Sequence, residues 1–104
     1  MKYKIEWLST ALEDLKETVS YISNELKNPT AAEDLAKEVV AQIESLSEFP
    51  YSAPHYEPIK PLKHEYRKLL VKNYFVFYWV DDKKKTVEIA RIIYARRDLE
   101  RIFE

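Results

Sequence analysis

The stretch YRKLLVKNYFVFYWVDDKKKTVEIARIIY, residues 66–94, decides the fold of this chain of 104 residues. It contains three runs of β-branched and aromatic residues, which strands favour. Lys72-Asn73 separates the first two runs as a two-residue hairpin loop, in which asparagine tolerates positive φ. The charged turn 81–85 separates the last two. The pattern predicts an antiparallel meander with strands 66–71, 74–80 and 86–94.

The central run of the meander, residues 74–80, is apolar or aromatic at every position. A strand with two apolar faces is covered on both sides. Aromatic side chains on such a strand usually belong to the core. We therefore place Phe75, Phe77 and Trp79 in the core.

The N-terminal half predicts one strand and two helices. Lys2–Leu8 alternates apolar and polar residues, which indicates a half-buried strand. Apolar residues then recur at helical spacing over 12–26 and again over 35–46, with predicted capping boxes that start at Thr10 and Thr30. Asn28-Pro29 separates the helices, which form an antiparallel αα-hairpin.

The whole chain, residues 1–104, is expected to form one α+β domain. The proline-rich segment 50–61 predicts an ordered loop, held by its aromatic residues, between hairpin and meander. We expect the αα-hairpin to pack on an antiparallel four-stranded sheet that includes the N-terminal strand. A short helix or tail over 96–103 closes the chain.

Composition excludes several classes of site. The chain has no cysteine and no glycine, so it has no disulfide, no thiolate metal site and no glycine-rich phosphate loop. Its two histidines have no carboxylate pair at ligand spacing, so we expect no metal and no cofactor. No apolar run approaches the roughly 20 residues that span a bilayer, and the N-terminus is charged. We expect a cytoplasmic protein with no membrane partner.

The charge is distributed unevenly along the chain. Residues 1–59 carry 5 Lys/Arg and 11 Asp/Glu, a net −6, whereas residues 60–104 carry 12 and 7, a net +5. Such asymmetry points to an acidic or polyanionic partner, although solvated strand edges also favour lysine. Because one strand's start can meet another strand's end, we predict a basic rim, with tyrosines nearby, built from Arg67, Lys68, Arg91, Arg96 and Arg97. Such a rim can bind phosphates, stack bases or stabilise a developing phosphorane without a metal.

The order of elements and four segments together resemble the RelE/ParE toxins of bacterial type II toxin–antitoxin modules. The segments are Leu46-Ser47-Glu48-Phe49-Pro50, Tyr66-Arg67-Lys68-Leu69, Asn73–Tyr78 and Val87–Asp98. The resemblance implies a growth-inhibiting toxin, of a kind linked to plasmid stabilisation, that a cognate antitoxin neutralises. RelE-like members cut mRNA on the ribosome without a metal, whereas ParE-like members inhibit DNA gyrase.

Only half of the catalytic residues that the resemblance implies for a RelE-like nuclease are present in this sequence. Lys68 and Arg96 fall where the nucleases keep basic catalytic residues, with Arg67 beside the first. For a nuclease, Tyr94 or His64 would have to substitute as the acid/base group. Phe75, however, stands where the nucleases commonly keep an arginine. Ile102-Phe103 stands where many keep the proton-transferring tyrosine or histidine.

The depleted nuclease set and the long hairpin favour a ParE-like gyrase inhibitor. A ribosome-dependent mRNA endoribonuclease and an inactive, antitoxin-binding family member remain as alternatives. We expect the cations to bind the target or the antitoxin: Arg67, Lys68, Arg91, Arg96, Arg97 and Arg101. We also expect the antitoxin to lie in the groove between hairpin and sheet, with its acidic residues facing the cations.

Overall fold

The computed structural model describes residues 2–57 and 62–96 of the chain. Four strands and two α-helices account for most of them, with a π-helical turn between the helices. In chain order the elements are β1 (Lys4–Trp7), α1 (Ser9–Ser20), the π-helical turn (Tyr21–Glu25), α2 (Pro29–Ser45), β2 (Arg67–Val71), β3 (Tyr74–Asp81) and β4 (Thr86–Tyr94). The predicted α+β class and meander are confirmed. The predicted C-terminal helix or tail lies, beyond Arg96, outside the described residues.

The four strands form one mixed sheet in the order β1-β4-β3-β2. Strands β2, β3 and β4 are antiparallel neighbours, as predicted, but β1 pairs with β4 in parallel, from Lys4 opposite Thr86 to Trp7 opposite Ile89. The prediction of an entirely antiparallel sheet is therefore wrong at this pair. The reason is the path of the two helices. Helix α1 continues past the end of β1 in the same direction, alongside β4, where the Thr10 hydroxyl contacts the carbonyl of Ala90. Helix α2 then brings the chain back, so that β2 starts at the same end of the sheet as β1 and runs parallel to it.

The core lies mainly between the helices and one face of the sheet. Val39, Ile43 and Leu46 of the α2 segment pack there against Tyr78 and Ile89, all fully buried. A smaller cluster of Tyr56, Phe77 and Ile93 lies separately, with Phe75 packed against it. Strand β3 is thus covered on both faces at its centre. Of the three predicted core aromatics, Phe77 is fully buried, whereas Phe75 and Trp79 are half-buried.

Both predicted capping boxes are wrong. Helix α1 begins one residue before Thr10, whose hydroxyl donates instead to the carbonyl oxygen of Ala90 in β4 at 2.7 Å. Helix α2 begins at Pro29, and the Asn28 side chain accepts from the backbone N–H of Ala31 at 3.1 Å. Asparagine is a strong N-cap and proline suits the first helical position, so the cap lies at Asn28, two residues before Thr30.

The first helix does not remain α-helical up to Asn28. It widens into the π-helical turn, in which the Leu26 N–H donates to the carbonyl of Tyr21, five residues back, at 3.1 Å. The predicted apolar stripe is accordingly buried only in part, since the exposed fractions of Leu12 and Leu26 are 43% and 57%. The ends of the stripe remain on the surface.

The described part of the predicted loop 50–61, residues 50–57, is held on the sheet, whereas residues 58–61 lie outside the described residues. Tyr56 is buried, its N–H donates to the carbonyl of Tyr66, and the buried Tyr78 hydroxyl donates to the carbonyl of Pro50 at 2.8 Å. In the hairpin loop, positive φ falls on Lys72 at 53° rather than on the predicted Asn73. Within the described residues, no helix is both long and apolar enough to cross a bilayer.

Candidate functional site

Arg67, at the start of β2, is held by the loop that follows α2. Its Nη1 donates to the carbonyl oxygens of Ala53 at 2.7 Å and Tyr51 at 3.3 Å, and its guanidinium carbon lies 4.9 Å from the centroid of the Tyr51 ring. Its Nη2 lies 3.2 Å from Nε2 of His55, which must accept because arginine only donates. The guanidinium is therefore committed to holding this loop on the edge of the sheet.

Lys68 presents its ammonium to two aromatic rings. Nζ lies 4.7 Å from the centroid of the Phe75 ring and 5.8 Å from that of Tyr56. Both distances fall within the range of a cation–π contact, which is strongest where the cation is partly desolvated. Phe75, where the resemblance to the nucleases implies an arginine, instead provides one of the two rings that contact the Lys68 ammonium. One cation with two aromatic rings can bind a phosphate but brings no second cation to it.

Arg91 is paired with a carboxylate of α1. Its Nε and Nη2 donate to Asp14 at 2.7 and 3.1 Å, and Asp14 also accepts from the backbone N–H of Ile92 at 2.9 Å. The hydrogen bond to Asp14 raises the pKa of Arg91, and the charge of Glu17 adds to this effect. Strand β1 ends opposite Ile89, so Thr10 and Asp14 take over backbone groups of β4 where strand pairing stops.

The cations among the described residues do not meet at one rim. Strands β2 and β4 run in the same direction, because both are antiparallel to β3. Lys68 therefore lies level with Phe77 and Arg91, with about 10 Å between the outer backbones. Strand β4 ends at Tyr94, three residues or roughly 10 Å along the strand from Arg91, and Arg96 comes two residues after that end. Arg97 and Arg101 lie outside the described residues.

Tyr94, the predicted substitute acid/base group, lies away from Lys68. It ends β4 opposite Tyr74 of β3, with ring centroids 5.4 Å apart, and 38% of it is exposed. Lys68 is level with Phe77, three residues along β3 from Tyr74, so roughly 10 Å of strand separates the two levels. The structure therefore groups Lys68 with Arg91 in one row and places Tyr94 elsewhere.

Tyr74 and Tyr94 belong to a groove between the helices and the end of the sheet. The groove has a volume of about 810 Å³. Its helical wall comes from α1 and the π-helical turn, and its sheet wall from the start of β3 and the end of β4. The lining residues are Asp14, Glu17, Thr18, Tyr21, Ile22, Leu26, Asn28, Ala31, Asn73, Tyr74, Ile92, Ile93 and Tyr94. Among them are two carboxylates, three tyrosines and no basic residue.

A second polar cluster joins three distant segments at the opposite end of the sheet. Asp82 accepts from the hydroxyls of Tyr3 at 2.5 Å and Tyr51 at 2.6 Å. The hydrogen bond to Asp82 raises the pKa of Tyr51 to about 12, and the two tyrosines lower the pKa of Asp82. Beside it, the His64 ring stacks on Trp79 with centroids 3.8 Å apart and planes within 3°.

Sequence reasoning missed Asp14 and Asp82, and it gave no residues for the lining of the groove that it expected between hairpin and sheet. Asp14 had a usable signal, because Thr10, Asp14, Thr18 and Tyr21 follow one another at helical spacings of four, four and three. In the structure the first two residues of this stripe, Thr10 and Asp14, contact the backbone of β4. Asp82 had no such signal, since its partners are 79 and 31 residues away in sequence.

No group of three or more histidine, aspartate or glutamate side chains within residues 2–57 and 62–96 is arranged to hold a metal ion. The Lys68 ammonium lies 5.8 Å from the centroid of the Tyr56 ring, and burial raises the pKa of Tyr66, which precedes Arg67 and Lys68 in the chain. Tyr66 is therefore a poor proton acceptor at neutral pH.

Comparison with known proteins places this geometry in a family. Residues 5–99 match the model of the ParE toxin of the type II toxin–antitoxin system parDE. The chain shares its fold with a protein of the chromosomal ParDE system of Pseudomonas aeruginosa, at a TM-score of 0.73 and 18% identity over 91% of this chain and 98% of that one.

Two further solved structures have the same fold at lower similarity. A chain of the RelBE2 toxin–antitoxin complex of Mycobacterium tuberculosis has a TM-score of 0.60 at 20% identity, over 90% of this chain and 99% of that one. A mutant of the free Escherichia coli toxin RelE has a TM-score of 0.56 at 18% identity, over 99% and 94%. No curated protein matches the chain. Because the family model spans nearly the whole sequence, this chain belongs to the ParE toxin family of type II toxin–antitoxin systems.

Proposed function

We propose that this toxin acts by binding DNA gyrase and inhibiting it, and that a cognate antitoxin neutralises it. One observation carries the proposal: the cations that a nuclease of this family would use do not converge. Arg67 is bound to the loop carbonyls and Lys68 rests on Phe75, while Arg96 lies beyond the far end of β4. Metal-independent cleavage of a phosphodiester needs an acid, a base and a cation within contact distance of one phosphate.

Inhibition by binding makes a different demand on the surface. It requires a stable patch with a few anchoring residues, and it requires no proton transfer. Lys68 and Arg91 flank Phe77 in a row across the sheet, and Lys68 keeps its ammonium on two rings. Membership of the ParE family supports the same conclusion.

The test is a supercoiling assay with purified gyrase, relaxed plasmid and ATP. We expect the toxin to stop supercoiling near stoichiometric ratios, and we expect Lys68→Glu to weaken inhibition about tenfold or more, because it reverses the charge on the patch. Lys83→Glu in the exposed turn 81–85 is the matched control, since it makes the same charge change and should leave inhibition unaltered. Unimpaired supercoiling at a large excess of folded toxin would refute the proposal.

The alternative function, a ribosome-dependent mRNA endoribonuclease, has one observation in its favour. The Lys68 ammonium lies 5.8 Å from the centroid of the Tyr56 ring, so a cation and a phenol are neighbours. Programmed ribosomes with a labelled mRNA give the comparison. We expect intact mRNA after incubation with the wild type. Cleavage that Lys68→Ala abolishes would establish the alternative instead.

The antitoxin is expected to occupy the groove, which leaves Tyr21, Leu26 and Tyr94 partly exposed. We expect a small reading frame beside the gene to encode the antitoxin, and its co-expression should restore growth and yield a co-purifying complex. Growth inhibition that no adjoining product relieves would contradict this part of the proposal.

A further inference from the structure

The groove between the helices and the end of the sheet is lined by three tyrosines. Tyr21 is on the helical side, while Tyr74 and Tyr94 pack 5.4 Å apart on the sheet side. Tyr21 and Tyr94 are 55% and 38% exposed. Burial raises the pKa of Tyr74, and the hydroxyls of Tyr94 and Tyr21 raise it further, which agrees with three tyrosines around one space. Large, rigid tyrosines are frequent anchors at binding surfaces.

The charge at this groove is negative. Asp14 and Glu17 line it, and no lysine or arginine is among its lining residues within the described part of the chain. Asp14 is already occupied by Arg91 and by the N–H of Ile92. Glu17 is different: its charge acts on nearby Arg91, but no ion pair or hydrogen bond engages its carboxylate directly within residues 2–57 and 62–96. An unpaired carboxylate thus stands beside three aromatic rings.

We propose that this groove binds a segment of the antitoxin that inserts an arginine side chain between the tyrosines, with its guanidinium paired to Glu17. The inference rests on the antitoxin part of the function proposed above. It also reverses the sequence-based expectation for this surface, which was that acidic antitoxin residues would face toxin cations.

Arginine suits these walls better than other side chains. Its planar guanidinium stacks on aromatic rings and binds a carboxylate through two parallel hydrogen bonds. Its methylene stem can pack on the apolar part of the groove, at Ile22 and Leu26. An acidic side chain would instead meet the carboxylate of Glu17, which has the same sign and, unlike that of Asp14, no direct cationic partner. An aliphatic one would contact the rings but leave Glu17 unpaired.

The first test uses the full chain and small probes, so that it depends on neither gyrase nor an antitoxin. Amide resonances of the ¹⁵N-labelled toxin are followed during titration with N-acetyl-arginine amide, N-acetyl-norleucine amide or N-acetyl-glutamate amide. We expect saturable shifts centred on Glu17, Tyr21 and Tyr94 with the arginine probe. Binding of the norleucine probe should be about fivefold weaker or more, as one cation–π contact predicts.

Two variants locate the binding, and a third controls for charge. Glu17→Gln removes the charge at nearly constant shape, and Tyr21→Leu removes an exposed ring, so both should fold. Each should weaken binding of the arginine probe about threefold or more. Glu44→Gln makes the same change on an exposed glutamate of α2 that does not line the groove, and it should have no effect.

Three results would overturn the proposal: equal affinity for the arginine and norleucine probes, preference for the glutamate probe, or shifts that map outside the groove. With the purified antitoxin, Glu17→Gln should then weaken the complex by a similar factor. If the groove binds the arginine probe but the antitoxin complex is insensitive to Glu17→Gln, the antitoxin does not insert an arginine there and the proposal fails. A failure to inhibit gyrase would leave the probe results unchanged, so the two proposals fail separately.

Discussion

Replacing Asp14 by alanine should destabilise this protein more than any substitution of a surface carboxylate. Asp14 accepts three hydrogen bonds, two from Arg91 and one from the backbone N–H of Ile92. The Arg91 and Asp14 side chains are 26% and 13% exposed, so water screens the pair only in part. A hydrogen bond to a charged group contributes about 1.5–3 kcal/mol to the free energy of unfolding. Because the Asp14–Arg91 pair is partly exposed, its own contribution is closer to that of a surface ion pair. The expected loss in the free energy of unfolding is about 2–3 kcal/mol.

The assay is urea denaturation followed by circular dichroism. For a domain of this size the loss corresponds to a fall in Tm of roughly 10–20 °C. Glu44→Gln, on the surface of α2, should stay within about 0.5 kcal/mol of the wild type. In a double-mutant cycle with Arg91→Met, the coupling to Asp14→Ala should reach about 1 kcal/mol. A loss below about 1 kcal/mol, or the absence of coupling, would refute the reasoning. Arg91 would then be available to a partner, as the sequence first suggested.

Three further substitutions test other contacts. Tyr78→Phe should cost about 1–2 kcal/mol in urea denaturation, because the buried carbonyl of Pro50 loses its donor; an unchanged midpoint would contradict the contact. Lys72→Gly should stabilise the protein by about 0.5–1 kcal/mol, since glycine adopts φ 53° without the steric cost of a Cβ; a loss would show that the lysine side chain matters there. Asp82→Asn should bring the pKa of Tyr51 down from about 12, as followed by tyrosinate absorbance. Because that pKa is raised on folding, the Tyr51 contribution to stability holds below pH about 10 and is lost as pH rises toward 12; identical alkaline titrations of both proteins would exclude the contact.

Strands β2, β3 and β4 were predictable because their information is local. Each is a short run of β-branched and aromatic residues, and the connections are too short for anything but antiparallel neighbours. The direction of β1 was not predictable in this way. It depends on whether α1 doubles back or runs on along β4, and that is set by contacts such as Thr10 with Ala90, 80 residues apart.

The helix starts show the same limit. Thr10 and Thr30 both have a glutamate three residues later, and the local pattern is that of a capping box. At the first site the edge of β4 claims the threonine hydroxyl, and at the second Asn28 caps the helix before Thr30 is reached. A cap motif therefore competes both with tertiary hydrogen bonds and with neighbouring cap residues.

The candidate cations could be chosen from sequence, but their grouping could not. Counting charges identifies the basic half, whereas strand direction decides that Lys68 is level with Arg91 and not with Arg96. The sequence also does not show which cations already have a partner within the protein. Arg67 and Arg91 are both engaged by groups far away in sequence, so their charge alone overstates what they offer to a partner.

Strand β4 contributes to both surfaces for which functions are proposed, the row of Lys68 and Arg91 and the groove. Arg91 lies in the row with Lys68, while its neighbours Ile92 and Tyr94 line the groove. If the target binds the cation row and the antitoxin binds the groove, the two partners approach the same strand from different sides. Neutralisation would then need the antitoxin either to extend around the end of β4 or to act through the Asp14–Arg91 pair, which contacts both surfaces. Charge reversal at Lys68 should therefore impair gyrase binding while leaving antitoxin affinity intact, and Glu17→Gln should do the opposite. Equal loss of both interactions in either variant would mean that the surfaces are one.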